Sequence, residues 1–379
     1  MKTVLVLGGY GNFGKRIVEN LCDIEQLNIV VAGRSSVKAN QLISQLQGSS
    51  NTKATLSGAV IDIFSAGFAQ QLKQISPFLV IHTSGPFQGQ DYRVPEACIQ
   101  AGAHYIDLAD DRRFVCDIGQ LDAKAKSSGV TVVSGASSVP GLASAVIEQY
   151  LLQFSSITAI DLAIAPGNKA ERGLATVKAI LSYTGHPFAV FRAGQWQDAY
   201  GWMDSTVFDF GGIVGKRYLA NVDVPDLELF PARYNVSDRV SFQAGLELPF
   251  LHLSMVVMAY LSKVGLVKNW AGLSKPIVGA SNVFLPFGTD KGAMSVRING
   301  FDKVGKDKTV NWTLYAPKGN GPYIPTLSTI ILARKLIDNS SVDTGAKPCV
   351  GLFTLVDIEP YFDHLDIYYT EHFTEEAQG

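Results

Sequence analysis

The chain has 379 residues, 47% of them hydrophobic and 17% charged, with a formal net charge of −2. This is the composition of a folded α/β protein, not of a disordered or fibrous one, and the near-neutral balance without a basic run excludes a general attraction to nucleic acid. Cys22, Cys98, Cys116 and Cys349 are far apart with no C-x-x-C pair, which argues against a metal site or a disulfide framework and fits a reducing, cytoplasmic setting.

The first apolar run, 4–7, has the length of a buried strand and feeds directly into Gly8-Gly9-Tyr10-Gly11-Asn12-Phe13-Gly14. Gly9, Gly11 and Gly14 form a G-x-G-x-x-G, and Ile17, Val18 and Leu21 continue at helical spacing. Strand, glycine turn and helix in that order predict a dinucleotide loop. Its glycines serve a tight turn, close approach of backbone to a pyrophosphate, and close packing of helix on strand. The N–H groups opening the helix then face the phosphates. A phosphate loop of nucleotide hydrolases also begins G-x-x-x-x-G-K, but it needs Ser or Thr next to hold magnesium, and Arg16 stands there. The second run, 28–36, ends where an NAD site carries an acid for the ribose 2′-hydroxyl. Here it ends in Gly33, Arg34, Ser35 and Ser36 with Lys38 close behind. A guanidinium fork suits a 2′-phosphate, so the expected cofactor is NADP.

Strand-like and helix-like segments alternate through residue 136, the pattern of a doubly wound parallel sheet with crossover helices. A third strand is expected over 59–63, with Ser65 capping the helix that carries Phe68, Leu72 and Ile75. The fourth and fifth strands follow over 78–82 and 104–108, and a polar helix near 120–126 leads to a sixth over 130–133. Beyond 137 the pattern predicts a helix over 140–154, a half-covered strand over 157–164, a helix over 173–183 and a hairpin pairing 294–300 with 309–316. The expected organisation is a nucleotide-binding domain over 1–136, a substrate and dimerisation α+β domain with an antiparallel sheet over 137–318, and a C-terminal segment over 319–379. Phe188, Phe191, Trp196 and Trp202 read as core of the second domain. The apolar stretch 246–267, broken by Glu247, Pro249, His252 and Lys263, reads as a buried or subunit-contacting helix, so a homodimer is expected and membrane association is not. The apolar run after Met1-Lys2 is too short for a secretory leader.

Together the glycine loop, Ala32-Gly33-Arg34-Ser35, Ser84-Gly85-Pro86-Phe87 and the stretch from Glu96 to Leu108 resemble the saccharopine dehydrogenase family over about the first 140 residues. A weaker resemblance continues at Ala165-Pro166-Gly167-Asn168, Arg172 to Thr176 and Gly319 to Thr326. The resemblance implies an NADP-dependent oxidoreductase acting by hydride transfer on a C=N or C=O group between two domains, with a last segment that returns to the nucleotide domain. Amino-acid-acting members carry a stretch like D-P-G-I-D-H after the sixth strand. Here Val139-Pro140-Gly141-Leu142-Ala143-Ser144 stands in its place, which counts against saccharopine itself as substrate.

By resemblance and position, Ser84, Gly85, Pro86 and Phe87 close the cofactor site at the carboxyl end of the fourth strand, with Phe87 against the nicotinamide ribose. Asp62 is placed to bond the adenine amino group. Asp107, at the end of the fifth strand, is a candidate to hold or protonate the substrate, while Asp110-Asp111-Arg112-Arg113 reads as a helix cap with its ion pairs. Lys169 and Arg172, after a Pro-Gly turn, are candidates for an anionic substrate group. His186 is the first candidate proton donor, since imidazole exchanges protons near neutrality, and Tyr183 is the alternative. The alternative function is a non-catalytic NADP-binding sensor or membrane-associated scaffold on the same fold.

Overall fold

The computed structural model describes residues 1–340 and 342–375. They form two units, one of described residues within 1–142 and 323–353, the other of residues 143–322 and 354–375.

The first unit is built on a seven-stranded, wholly parallel sheet. In chain order its strands are β1 (Lys2–Leu7), β2 (Leu27–Gly33), β3 (Thr55–Val60), β4 (Leu79–His82), β5 (His104–Asp107) and β6 (Thr131–Ser134), joined by Gly345–Pro348. The order across the sheet is β3, β2, β1, β4, β5, β6, then Gly345–Pro348. This is the doubly wound arrangement, with its switch point between β1 and β4. Val4, Leu5 and Val6 have no exposed surface, as an unbroken apolar run in a sheet covered on both faces requires. The helices are α1 (Asn12–Leu21), α2 (Ser36–Gln47), α3 (Phe68–Ile75), α4 (Arg93–Gln100), α5 (Arg112–Cys116) and α6 (Asp122–Ser127). The helix Ile324–Ile337 also belongs to this unit: its Ser328 and Thr329 hydroxyls donate to the carbonyls of Ser137 and Ala136, each at 2.7 Å.

Two local expectations are corrected. The third strand lies earlier than 59–63, over Thr55–Val60 at the sheet edge. Ile61 and Ile63 are buried just past its end, and their alternation gives the false reading. Ser65 does not cap α3. The N-cap is Gly67, without a side-chain bond, and Ser65 contributes only its carbonyl, to Phe68 N–H. Asp111 does cap α5, accepting from Phe114 N–H at 2.8 Å.

The second unit holds α7 (Ala143–Tyr150) and a mixed sheet. Its strands are β7 (Ser156–Ala165), β8 (Pro187–Arg192), β9 (Gln195–Tyr200), β10 (Thr206–Asp209), β11 (Lys216–Asn221), β12 (Arg239–Ala244), β13 (Gly292–Phe301), β14 (Asp307–Ala316) and Tyr368–Glu375. The sheet is antiparallel except where β12 runs parallel to β7. That one pair departs from the expected antiparallel sheet because the chain leaves β7 through α8 (Leu174–Tyr183) and the β8–β9 and β10–β11 hairpins before returning. The β13–β14 hairpin forms around Asp302, whose carboxylate accepts from the N–H groups of Val304 and Lys306. α9 (Asp226–Arg233), α10 (Pro249–Lys263) and α11 (Ser274–Asn282) complete the unit. Trp202 is buried there as expected, whereas Trp196 is half exposed, edge-on to Phe191.

Candidate functional site

The carboxyl edge of the parallel sheet gathers the β1–α1, β2–α2 and β4–α4 loops. Gly8 sits at φ +77°, where a side chain is strained, and a Cβ there would lie 2.7 Å from Thr83 Oγ1. A Cβ on Gly14 would run into the Gly8 carbonyl oxygen, so α1 approaches β1 as closely as glycine permits. Gly11 is the N-cap of α1 and supplies no side-chain bond. The N–H groups of the first helical turn have no partner within a helix. An anion is the natural occupant of such an end.

Tyr10 connects this loop to the next. Its hydroxyl accepts from Ser35 N–H at 2.8 Å, and its ring lies against Gly33, where a Cβ would collide with it. Ser35 caps α2, accepting from Lys38 N–H. The turn is therefore fixed by Tyr10 and Ser35, while Arg34 and Ser36 are exposed. Arg34 makes no hydrogen bond or ion pair to any described residue. Arg16, by contrast, is buried: it donates to the Asn12 carbonyl and carboxamide and lies over the Tyr323 ring. Asp62 is exposed beyond β3 and accepts from Phe64 N–H at 3.0 Å.

On the far side of β1, Thr83 donates to the carbonyls of Leu7 and Gly8 at 2.9 and 3.1 Å. The following turn, with a cis Gly85–Pro86 peptide, is held by Gln90, whose amide donates to the carbonyls of Ser84 at 3.0 Å and Pro86 at 2.7 Å. Phe87 is buried, packed edge-on against His82 and tilted against Phe114. Thr83, Gln90 and His82 carry no mark in the sequence; their partners lie on other strands or beyond a turn.

Beneath these loops runs a buried polar line. His82 Nδ1 lies 3.0 Å from the Tyr105 hydroxyl, and Tyr105 and Asp107, two residues apart on β5, are both fully buried. Asp107 Oδ1 accepts from Ala109 N–H (2.9 Å), Ser134 Oγ (3.0 Å) and Gly135 N–H (2.8 Å), tying the end of β5 to the end of β6. Burial pushes the carboxyl up to about 6 despite those donors. It also pushes the His82 imidazole down to about 3, so His82 is neutral at physiological pH.

The remaining candidates lie in the second unit. Tyr183 ends α8, and His186 N–H donates to its carbonyl at 3.0 Å, so the two share one turn. His186 Nε2 is 2.9 Å from the Lys268 carbonyl oxygen, and a carbonyl partner requires the proton on that nitrogen. Arg172 is half-buried, with its guanidinium on the Asn168 carbonyl, the Asn168 carboxamide and Ser281. Lys169 is exposed, held only by its backbone N–H on Thr289. The loop carrying both is pinned by Glu247, which accepts from the N–H groups of Asn168 (2.7 Å) and Thr289 (2.8 Å), from Thr289 Oγ1 and from Arg217. No cluster of metal-ligating side chains occurs among the described residues.

Residues 4–133 match the family model for the saccharopine dehydrogenase NADP-binding domain. A search of curated proteins finds no match. Among solved structures, the chain is similar to the apo saccharopine dehydrogenase (L-Glu forming) of Saccharomyces cerevisiae, at 12% identity and a TM-score of 0.68, covering 99% of this chain and 100% of that one. An amine dehydrogenase of Mycobacterium smegmatis aligns at 11% identity and a TM-score of 0.47, over 94% of this chain and 95% of that one. At such identities the first likeness speaks for the fold. The cofactor assignment rests on the domain match: the N-terminal domain is an NADP-binding domain of the saccharopine dehydrogenase type.

Proposed function

We propose that this chain, on its N-terminal domain of the saccharopine dehydrogenase NADP-binding type, is an NADP(H)-dependent oxidoreductase acting on a C=N or C=O group of a small metabolite. The observation that supports this best is the glycine loop held rigidly beside an unpaired guanidinium. The first turn of α1 would take the pyrophosphate. Arg34, with Ser35 and Ser36, would take the 2′-phosphate. Asp62 would meet the adenine amino group, and the turn from Ser84 to Phe87, braced by Gln90, the nicotinamide end. When bound, NADP(H) supplies or accepts the hydride.

Reduction of C=N or C=O also needs a proton at the heteroatom. His186 is the proposed donor: the bond to the Lys268 carbonyl fixes its tautomer and ring, leaving Nδ1 to take up and release a proton. Tyr183 is the alternative acid. We assign Asp107 a positioning role, because its carboxylate is buried and already bonded to two strand ends. Arg172 is spent on Asn168 and Ser281, so Lys169 is the stronger candidate for an anionic substrate group. Saccharopine is not the proposed substrate. Ala143 and Ser144 are both buried and uncharged where amino-acid-acting relatives carry an acid and a histidine.

The test is a fluorescence titration with NADPH followed by a screen of imines and carbonyls for cofactor consumption. Saturable binding with turnover supports the proposal. Lack of saturable NADPH binding refutes it, and binding without turnover of any imine or carbonyl in either direction identifies a cofactor sensor instead.

A further inference from the structure

Helix α10 has apolar residues on two faces. One face, with His252, Met255 and Ala259, is buried, with Trp202 and Tyr218 against His252. The other carries Phe250, Leu253, Val257 and Tyr260, with Val264 just beyond, at 44%, 49%, 58%, 54% and 66% exposure. These positions recur at three- and four-residue spacing, so they form one stripe. An amphipathic surface helix would be polar there. Ser254, on the same side, turns its hydroxyl back to the Phe250 carbonyl at 2.7 Å instead of to solvent.

The neighbouring segment extends the stripe. Phe250 packs on Phe284 with ring centroids 4.7 Å apart, and Ile277 of α11 joins the cluster of Met255, Met258 and Trp270. Leu266, Leu273, Val283 and Phe287 are exposed on the same stretch of chain. Contiguous exposed apolar surface of this kind marks a contact site.

Charge decides what the contact is. From 248 to 289 the chain has Lys263, Lys268 and Lys275 and no Asp or Glu, and all three lysines are exposed. A second copy docked by symmetry would bring the three lysines of this stretch against three lysines, with no carboxylate between 248 and 289 to answer them. An anionic lipid surface answers both features, accepting apolar side chains below the headgroups and lysines among them. Helix α10, at 15 residues, is about 22 Å long, short of the ~30 Å hydrocarbon core, and no described helix is long and apolar enough to cross a membrane. We propose that the α10–α11 face is a peripheral docking surface for anionic phospholipid bilayers, with α10 lying along the interface.

The experiment is vesicle flotation of the full chain, with phosphatidylcholine alone and with phosphatidylcholine doped with phosphatidylserine, at low salt and at about 0.5 M salt. The protein should float with the doped vesicles at low salt. Affinity should fall roughly a hundredfold when the three lysines are changed together to glutamine, and by tenfold or more in Leu253→Glu/Val257→Glu. Both substituted apolar side chains are exposed, so the fold should survive; circular dichroism melts superimposable on the wild type check this independently of cofactor binding. Failure of the wild-type chain to float with anionic vesicles overturns the proposal. So does a wild-type dimer in sedimentation velocity that the double variant converts to monomer, since the face then belongs to a second copy.

Discussion

Arg34→Ala separates the cofactor assignment from a general effect on the domain. Arg34 is exposed and makes no bond to any described residue, so its removal should leave stability within the ±0.5 kcal/mol usual for such surface positions. The backbone of its turn is held by Tyr10 and Ser35, so the loop should keep its shape. The whole effect should then fall on the ligand. A hydrogen bond between charged groups is worth about 1.5–3 kcal/mol, and exposure favours the lower half of that range, so NADPH affinity should drop about 12- to 45-fold. NADH, which has no 2′-phosphate, should lose less than about twofold. Arg34→Lys keeps the charge without the fork and should fall between the two. Paired fluorescence titrations of both cofactors, with thermal melts as control, decide it. Equal losses for NADPH and NADH, or no loss for either, would sink the phosphate reading of Arg34.

Gly14→Ala should abolish measurable NADPH binding and lower the melting temperature, because the added methyl meets the Gly8 carbonyl oxygen; wild-type binding in this variant would refute the close-approach argument. Glu247→Gln should cost about 2–3 kcal/mol in chemical denaturation, since it removes the charge that accepts from Asn168, Thr289 and Arg217 with only 8% of its side chain exposed. Burial raises the Asp107 pKa to about 6, so its contribution to stability is present below about pH 4 and lost as pH rises through 6; His82, lowered to about 3, acts in the opposite sense, losing stability as pH falls from about 6.5. Asp107→Asn should therefore steepen the loss of stability on acidification from pH 6 to pH 4, and denaturation curves parallel to the wild type across that window would contradict the assignment. If His186 is the proton donor, His186→Ala should lower kcat at least a hundredfold with NADPH affinity unchanged, while Tyr183→Phe leaves kcat within a few fold; the reverse pattern moves the role to Tyr183.

The nucleotide half of the molecule is legible in the sequence because its signals are local. Gly9, Gly11 and Gly14 lie within six positions, and the run ending at Arg34 stands one strand away. A central parallel strand such as β1 is a short apolar run, and the glycines that follow it directly mark it as a strand. Legibility fails where apolar pattern and hydrogen-bond ladder part company. Ile61 and Ile63 alternate like a strand yet are buried beyond the end of β3. It fails again at Gly345–Pro348, whose burial on the sheet depends on pairing with β6 some two hundred residues earlier. On the substrate side nothing repeats or clusters. Lys169, Arg172, Tyr183 and His186 are lone residues on turns, and that Arg172 is bonded to Asn168 and Ser281 while Lys169 is not depends on packing that no window of sequence contains. The stretch 246–267 is legible as an apolar helix, but the exposure of its face with Phe250, Leu253, Val257 and Tyr260 is not. Its spacing is the same as that of a helix buried on two sides, and only the absence of a covering element distinguishes them.

The residues that fix the loops are different from the residues left to meet a ligand. Tyr10 bonds the Ser35 backbone, Thr83 the carbonyls of Leu7 and Gly8, Gln90 those of Ser84 and Pro86, and Asp107 the N–H groups of Ala109 and Gly135. Each spends a side chain on backbone at the strand ends, where the sheet gives way to irregular chain; the Thr83 hydroxyl adds a second donor to carbonyls that already accept from the N–H groups of Thr83 and Gly11. What this leaves for a ligand is the exposed Arg34 guanidinium and the opening turn of a helix, both favourable to anions. Holding those groups in place before a ligand arrives removes ordering cost from binding. The same reasoning supports the positioning role proposed for Asp107, the most conspicuous acid of the strand-end set. Its three bonds all fall on Oδ1 and tie the end of β5 to the end of β6, whereas His186, the proposed proton donor, is anchored through Nε2 and leaves Nδ1 for the exchange.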